Sequence, residues 1–261
     1  MIGIFDSGLG GLSVLAAIAR ALPRADLAYL ADTAHVPYGS KSDGFIRGRV
    51  AAIGDHLAAR GCRMLVVACN TATAAAVGEL RERHPQLPVV GVEPGVKPAA
   101  AASRSRRIAV LATESTAKSE RLARLIAAHA QDVAVHIEPC PGWATRVETL
   151  HADDPGFSAE VAARIEPLLA AGADRIVLGC THYSFLTPIL APLVTGRAEL
   201  VDVADAVARQ CLRLAGPAAG GDGRLHLYAT AQPERLRAAL PALGLGWLAE
   251  RERGQPALAR I

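Results

Sequence analysis

The feature that most constrains this chain is an internal repeat. Shifting the sequence against itself by 111 positions lays Leu57–Thr71 on Leu168–His182 without a gap, with Leu57 on Leu168, Ala59 on Ala170, Gly61 on Gly172, Val66 on Val177 and Cys69 on Cys180. The same offset sets Val89-Val90-Gly91-Val92 on Leu200-Val201-Asp202-Val203. At an offset of 106, Ile2-Gly3-Ile4-Phe5 falls on Ile108-Ala109-Val110-Leu111. Matches in Ala-rich helices are cheap, but a glycine before each apolar run and a cysteine after it are not. Two similar units follow.

Each unit alternates short β-branched runs with longer Ala/Leu/Arg segments of helical period, the pattern of a parallel sheet covered by helices. The predicted strands are Ile2–Phe5, Leu27–Leu30, Met64–Ala68, Val89–Val92, Ile108–Leu111, Val133–Ile137, Arg175–Gly179, Leu200–Val203 and Leu225–Tyr228. The fold class is α/β, with two similar doubly wound domains and mainly parallel sheets. The stretch Glu93–Arg107, with two prolines, four consecutive alanines and a basic cluster, reads as the connection between them.

With 261 residues, the chain has room for two domains of ordinary size. Its apolar runs fall far short of the roughly 20 residues of a membrane span, and no basic leader precedes an apolar stretch. A cytoplasmic protein is expected. Charge is nearly balanced, with 28 basic and 25 acidic residues giving +3, so no nucleic-acid partner is implied. The tightest basic cluster, Arg104, Arg106 and Arg107, reads as a solvated linker. Five cysteines without a CxxC pair argue against a disulfide framework and a structural zinc site.

In an open parallel sheet, ligands bind beyond the carboxyl ends of the strands. Cys69 and Cys180 both stand there, followed by hydrogen-bonding neighbours: Asn70 and Thr71 after the first, Thr181 and His182 after the second. A free cysteine is usually a small buried hydrophobe, the reading given to Cys62, Cys140 and Cys211. Matched strand ends with polar successors instead suit reactive thiols, whose pKa a helix N-terminus lowers. Two opposed thiols suit proton transfer at a carbon that changes configuration. One removes the proton from one face, and the other supplies a proton to the opposite face.

Rival readings are weaker on the same residues. Gly8-Leu9-Gly10-Gly11 after a strand, with Asp32 after the next, invites a dinucleotide site, but the third glycine of that fingerprint is Ser13 and Asp6 would face a pyrophosphate. The three lysines, Lys41, Lys97 and Lys118, belong to no pyridoxal phosphate motif. A zinc site from Cys69, Cys180 and His182 has enough ligands in principle. Taken singly, Asp6 also reads as a helix cap, His182 as a core histidine and Tyr38-Gly39 as a turn.

Taken in order, Ile4-Phe5-Asp6-Ser7-Gly8, Ala31-Asp32-Thr33 with Pro37-Tyr38-Gly39, Ala68-Cys69-Asn70-Thr71, Glu93-Pro94-Gly95, Ala112-Thr113 with Thr116, Gly179-Cys180-Thr181-His182-Tyr183 and Val201-Asp202 resemble the glutamate racemases over nearly the whole chain. The resemblance implies racemisation of glutamate without cofactor or metal, as a source of D-glutamate for the bacterial cell wall. It implies a first domain of residues 1–97 plus 207–261, a second of 98–206, a cleft site between them and a possible homodimer. Carried over by position, Cys69 takes the proton of D-glutamate with help from Asp6, and Cys180 that of L-glutamate with help from His182 and Glu148. Asp6, Ser7, Tyr38, Gly39, Asn70, Thr71, Thr113, Thr116, Thr181 and His182 then surround the substrate. The stretch Cys140–Glu148 keeps the family's Cys-Pro start and Val-Glu end around a more polar middle. A related enzyme acting on aspartate or another small acid, and a non-catalytic amino-acid-binding protein, remain open.

Overall fold

A computed structural model describes residues 1–152 and 154–261. Among the described residues there are ten strands: β1 Ile2–Asp6, β2 Leu27–Ala31, β3 Met64–Val67, β4 Val89–Gly91, β5 Arg107–Ala112, β6 Ala134–Pro139, β7 Arg175–Leu178, β8 Glu199–Val201, β9 Leu225–Ala229 and β10 Ala257–Leu258. They form two sheets, one of six strands in the order β10-β9-β2-β1-β3-β4 and one of four in the order β6-β5-β7-β8. Every strand pairing is parallel. All nine predicted strands are present. β10, two residues long and exposed, lacks the apolar run that makes a strand legible.

The repeat is visible in both topology and register. The order β2-β1-β3-β4 in one sheet matches β6-β5-β7-β8 in the other. Ile2 pairs with Met64 in the first, and Ile108 with Arg175 in the second. Leu65 opposite Val89 recurs as Ile176 opposite Leu200.

The glycines of the repeat have a common cause. The helices Asp43–Ala59 and Pro155–Ala170 end at Gly61 (φ +81°) and Gly172 (φ +86°), a left-handed conformation that glycine adopts without a Cβ penalty. Gly61 N–H donates to Ala58 O and Cys62 N–H to Leu57 O, while Gly172 N–H donates to Leu169 O and Ala173 N–H to Leu168 O. This double bond pattern caps the last carbonyls of a helix and turns the chain back into the sheet.

Alternation along the strands divides each unit into two apolar layers. In the larger sheet Ile2, Ile4, Tyr29 and Val66 pack under the helices Leu12–Ala21, Ala204–Leu214 and Pro233–Ala242. Phe5, Leu30, Leu65 and Val67 pack on the other face under the helices Asp43–Ala59 and Asn70–Arg83. The smaller sheet does the same with Leu111 and Leu178 on one face and Val110 and Val177 on the other. Because both faces are covered, the strand ends are where polar side chains gather. Among the described residues no helix is long and apolar enough to cross a membrane.

Candidate active site

Cys69 leaves β3 in extended conformation and becomes the N-cap of the helix Asn70–Arg83, its Sγ accepting the Ala72 N–H at 3.4 Å. The Sγ lies 3.9 Å from Ser7 Oγ. Asp6, at the end of neighbouring β1, is buried, and its Oδ2 accepts Gly11 N–H at 2.9 Å and Gly8 N–H at 3.2 Å. Burial pushes the Asp6 carboxyl up despite the nearby His182 and the two amides. Burial likewise pushes the Cys69 thiol well up, and the Asp6 charge adds to it. A helix N-terminus was expected to lower this thiol. The Ala72 amide does act in that direction, but it is outweighed in a site this dry. Cys69 therefore rests as a thiol beside a carboxyl group.

The surroundings of Cys180 are built differently. Cys180 follows Gly179 at the end of β7 and opens a short 3-10 turn, Thr181–Leu186. His182 Nδ1 is 3.5 Å from Cys180 Sγ, and Nε2 is 2.5 Å from Glu148 Oε1. Burial opposes a proton on His182, but the bonds to Cys180 and Glu148 prevail and raise its pKa well above the usual range. Glu148 ends the helix Trp143–Glu148, fixed by the buried Trp143 packed edge-on against Phe157 and Tyr183. Tyr183 Oη in turn donates to Cys140 O at 3.2 Å. Thus Cys140 serves the scaffold while Cys180 and His182 form a hydrogen-bonded chain with Glu148.

The two walls interlock through the loop after β1. Leu9 N–H donates to Glu148 Oε1 at 2.6 Å. A Cβ at Gly8 would overlap the Glu148 carboxylate, and one at Gly10 the His182 ring. These glycines, which resembled part of a dinucleotide fingerprint, are spaces filled by side chains of the other unit. Tyr29, unremarked in the sequence, donates its hydroxyl to Gly8 O at 2.6 Å and holds the loop from below. The two thiols are near enough that charge on Cys180 raises the Cys69 pKa.

The remaining predicted residues fall into three groups. Thr71, Thr113 and Thr116 form a hydroxyl triangle with sides of 3.1 to 3.3 Å that joins the first turn of the helix Asn70–Arg83 in one unit to the β5 end of the other. Gly39 lies against Thr113, where a Cβ would sit 3.2 Å from the threonine Cβ. Tyr38 is buried, and its hydroxyl donates to Asp32 rather than standing free. Asn70 and Thr181 are buried too. Asp6 Oδ1 and both polar atoms of the Asn70 side chain have no hydrogen-bond partner among the described residues, as expected of groups that meet a polar ligand. No three His, Cys, Asp or Glu side chains among the described residues converge so as to hold a metal.

Residues 2–211 match the family described as Asp/Glu/hydantoin racemase. The chain belongs to this family. It is a racemase, and hence an isomerase. Among its relatives, the glutamate racemase of Ectopseudomonas mendocina is 49% identical over 93% of this chain and 94% of its own. That of Pseudomonas aeruginosa PAO1 is 48% identical over 93% of each. Escherichia coli glutamate racemase, solved with L-glutamate and the activator UDP-MurNAc-Ala, superposes with a TM-score of 0.87 at 31% identity, covering 100% of this chain and 98% of that one. The Aquifex pyrophilus glutamate racemase gives 0.78 at 33% identity, with 98% and 97% covered. Against these racemases the two-sheet α/β architecture read from the repeat holds for the whole chain.

Proposed function

We propose that this racemase interconverts L- and D-glutamate by two-base proton transfer, without cofactor or metal. The observation that carries the reading is that each of two neighbouring thiols has its own acid–base partners: Cys69 with Asp6, and Cys180 with His182 and Glu148. With L-glutamate, Cys180 takes the Cα proton, helped by His182, and the Cys69 thiol supplies a proton to the opposite face. With D-glutamate the flow reverses, and Asp6 is the neighbour that takes the Cys69 proton. In either direction one Cα–H bond breaks and one forms while the two thiols exchange protonation states, so the product differs from the substrate only in configuration.

The partnerless Asp6 Oδ1 and Asn70 side chain, with Ser7, Tyr38, Gly39, the three threonines and Thr181, suit an ammonium group and two carboxylates. The first domain comprises residues 1–97 and 207–261, the second 98–206, with the substrate between them. The names of the relatives support glutamate over aspartate, and the activity so proposed would supply D-glutamate for peptidoglycan in the cytoplasm. Circular dichroism and chiral chromatography of the purified chain with L- and D-glutamate and L- and D-aspartate, without added cofactor and with a chelator, test the proposal. Both glutamate enantiomers should converge on the racemate. Turnover of aspartate alone refutes the specificity, and no turnover of either acid refutes the mechanism.

A further inference from the structure

Directly after β2, Asp32 is completely buried, yet it is charged and fully partnered. Its Oδ2 accepts the Tyr38 hydroxyl at 2.5 Å and Arg49 Nε at 2.9 Å. Its Oδ1 accepts Arg49 Nη2 at 2.9 Å and Thr230 Oγ1 at 2.8 Å. The donors come from separate parts of the chain: the turn Tyr38–Ser40, the helix Asp43–Ala59 and the residue after β9. Arg49 continues outward, its Nη1 donating to Ile261 O at 3.0 Å. Burial alone would push the Asp32 carboxyl up, but the bonds from Arg49, Tyr38 and Thr230 outweigh it and hold the group below the usual carboxylate range.

An ion pair of this kind adds little net stability over an apolar cluster of the same volume, because desolvation cancels most of the attraction. What it adds is direction. The Arg49 fork fixes the carboxylate plane, and that plane fixes where the Tyr38 hydroxyl points. Tyr38 packs in the same buried cluster as Cys69, close enough for thiolate charge to raise the phenol pKa, and the next residue, Gly39, abuts Thr113 of the other unit. Asp32 itself touches no reacting atom.

We infer that Asp32 is a positioning residue for racemisation, seating the Tyr38–Gly39 turn between Cys69 and Thr113 through the Tyr38 hydroxyl. The inference rests on the reading above, in which that turn borders the substrate. Arg49 and Thr230 orient the carboxylate, and Tyr38 transmits that orientation to the cleft. Replacing the tyrosine hydroxyl should therefore act on substrate binding rather than on proton transfer.

Two variants test it. Tyr38→Phe keeps the buried ring and leaves Asp32 paired with Arg49 and Thr230, so it retains the fold. Asp32→Asn removes the charge at the same size. Hydrogen–deuterium exchange of the backbone over 33–41 is measured with KM and kcat for both glutamate enantiomers. Exchange in this segment should quicken in both variants while β1 and β3 stay protected. KM should rise about tenfold or more, the scale of losing a hydrogen bond to a charged group, with a much smaller change in kcat. Exchange at the wild-type rate in Tyr38→Phe overturns the inference, as does a loosened turn with unchanged KM. A fall in kcat at unchanged KM also overturns it, because the hydroxyl would then act on the reacting atoms. If the wild-type chain leaves glutamate unchanged, the functional reading fails on its own, and the exchange measurement still judges the anchoring.

Discussion

Substituting Glu148→Gln isolates the charge in the His182 chain. Glutamine keeps the size of the side chain and an oxygen able to accept from both Leu9 N–H and His182 Nε2–H, so the geometry at 2.6 and 2.5 Å can persist. What is lost is charge assistance. A hydrogen bond to a charged partner contributes about 1.5–3 kcal/mol and a neutral one about 0.5–1.5, so the change is about 1–1.5 kcal/mol, or roughly five- to tenfold in rate if felt fully in the transition state. Two enantiomers have equal free energy, so kcat/KM must fall equally in both directions. Only isotope effects can tell which wall was weakened. With the Cys180 step slowed, α-deuterated L-glutamate should show a larger primary effect on kcat/KM than in the wild type, and α-deuterated D-glutamate a smaller one. The measurement is initial rates by circular dichroism with protonated and deuterated substrates. An increase on the D side, or no change on either, would refute the assignment of Glu148 and His182 to Cys180. Stability supplies a second check. Because the His182 pKa is raised on folding, its contribution is fully present below about pH 6.5 and is lost as pH rises through the folded value. The Tm deficit of Glu148→Gln should therefore narrow at alkaline pH.

Cys69→Ala and Cys180→Ala should each abolish net racemisation while retaining solvent exchange of the Cα proton for one enantiomer, L for the first variant and D for the second. NMR in heavy water reads this, and wild-type racemisation by Cys180→Ala would make that thiol structural. Gly10→Ala should overpack against the His182 ring, costing about 1–3 kcal/mol and most of the activity. Gly44→Ala, on a helix where an added Cβ meets nothing within 4 Å, should leave both intact; equal Tm values for the two variants would refute the packing argument. Asp32→Asn should cost thermal stability at neutral pH. Because the Asp32 pKa is lowered, its contribution is present above about pH 3.9 and lost as pH falls through the folded value, so the deficit should shrink in acid. A deficit independent of pH would mean that the charge contributes nothing.

The repeat made the architecture legible because register and helix termination leave local marks: a left-handed glycine at 61 and 172, and β-branched runs at matched spacing. Cys69 and Cys180 were legible for the same reason. The charge environment was not. The Cys69 thiol is raised rather than lowered, since burial and Asp6 come from tertiary packing that no local pattern encodes. The pairing of His182 with Glu148, 34 residues apart, came from the family resemblance alone. Gly8 and Gly10 were visible but misleading, because a glycine advertises missing volume without saying what fills it. Tyr38 was legible only as a residue bordering the substrate; that its hydroxyl goes to Asp32 is set by Arg49 and Thr230 from distant segments.

The glycine loop after β1 ties the fitness of one wall to the presence of the other. Glu148 and His182 occupy volume that the first unit leaves open, and the Leu9 amide steadies their carboxylate. On the proposed mechanism, a motion that parted the sheets to admit or release an amino acid would withdraw that amide and give water access to the imidazole. Closure and arming of Cys180 would then be a single event, with proton transfer confined to the closed cleft.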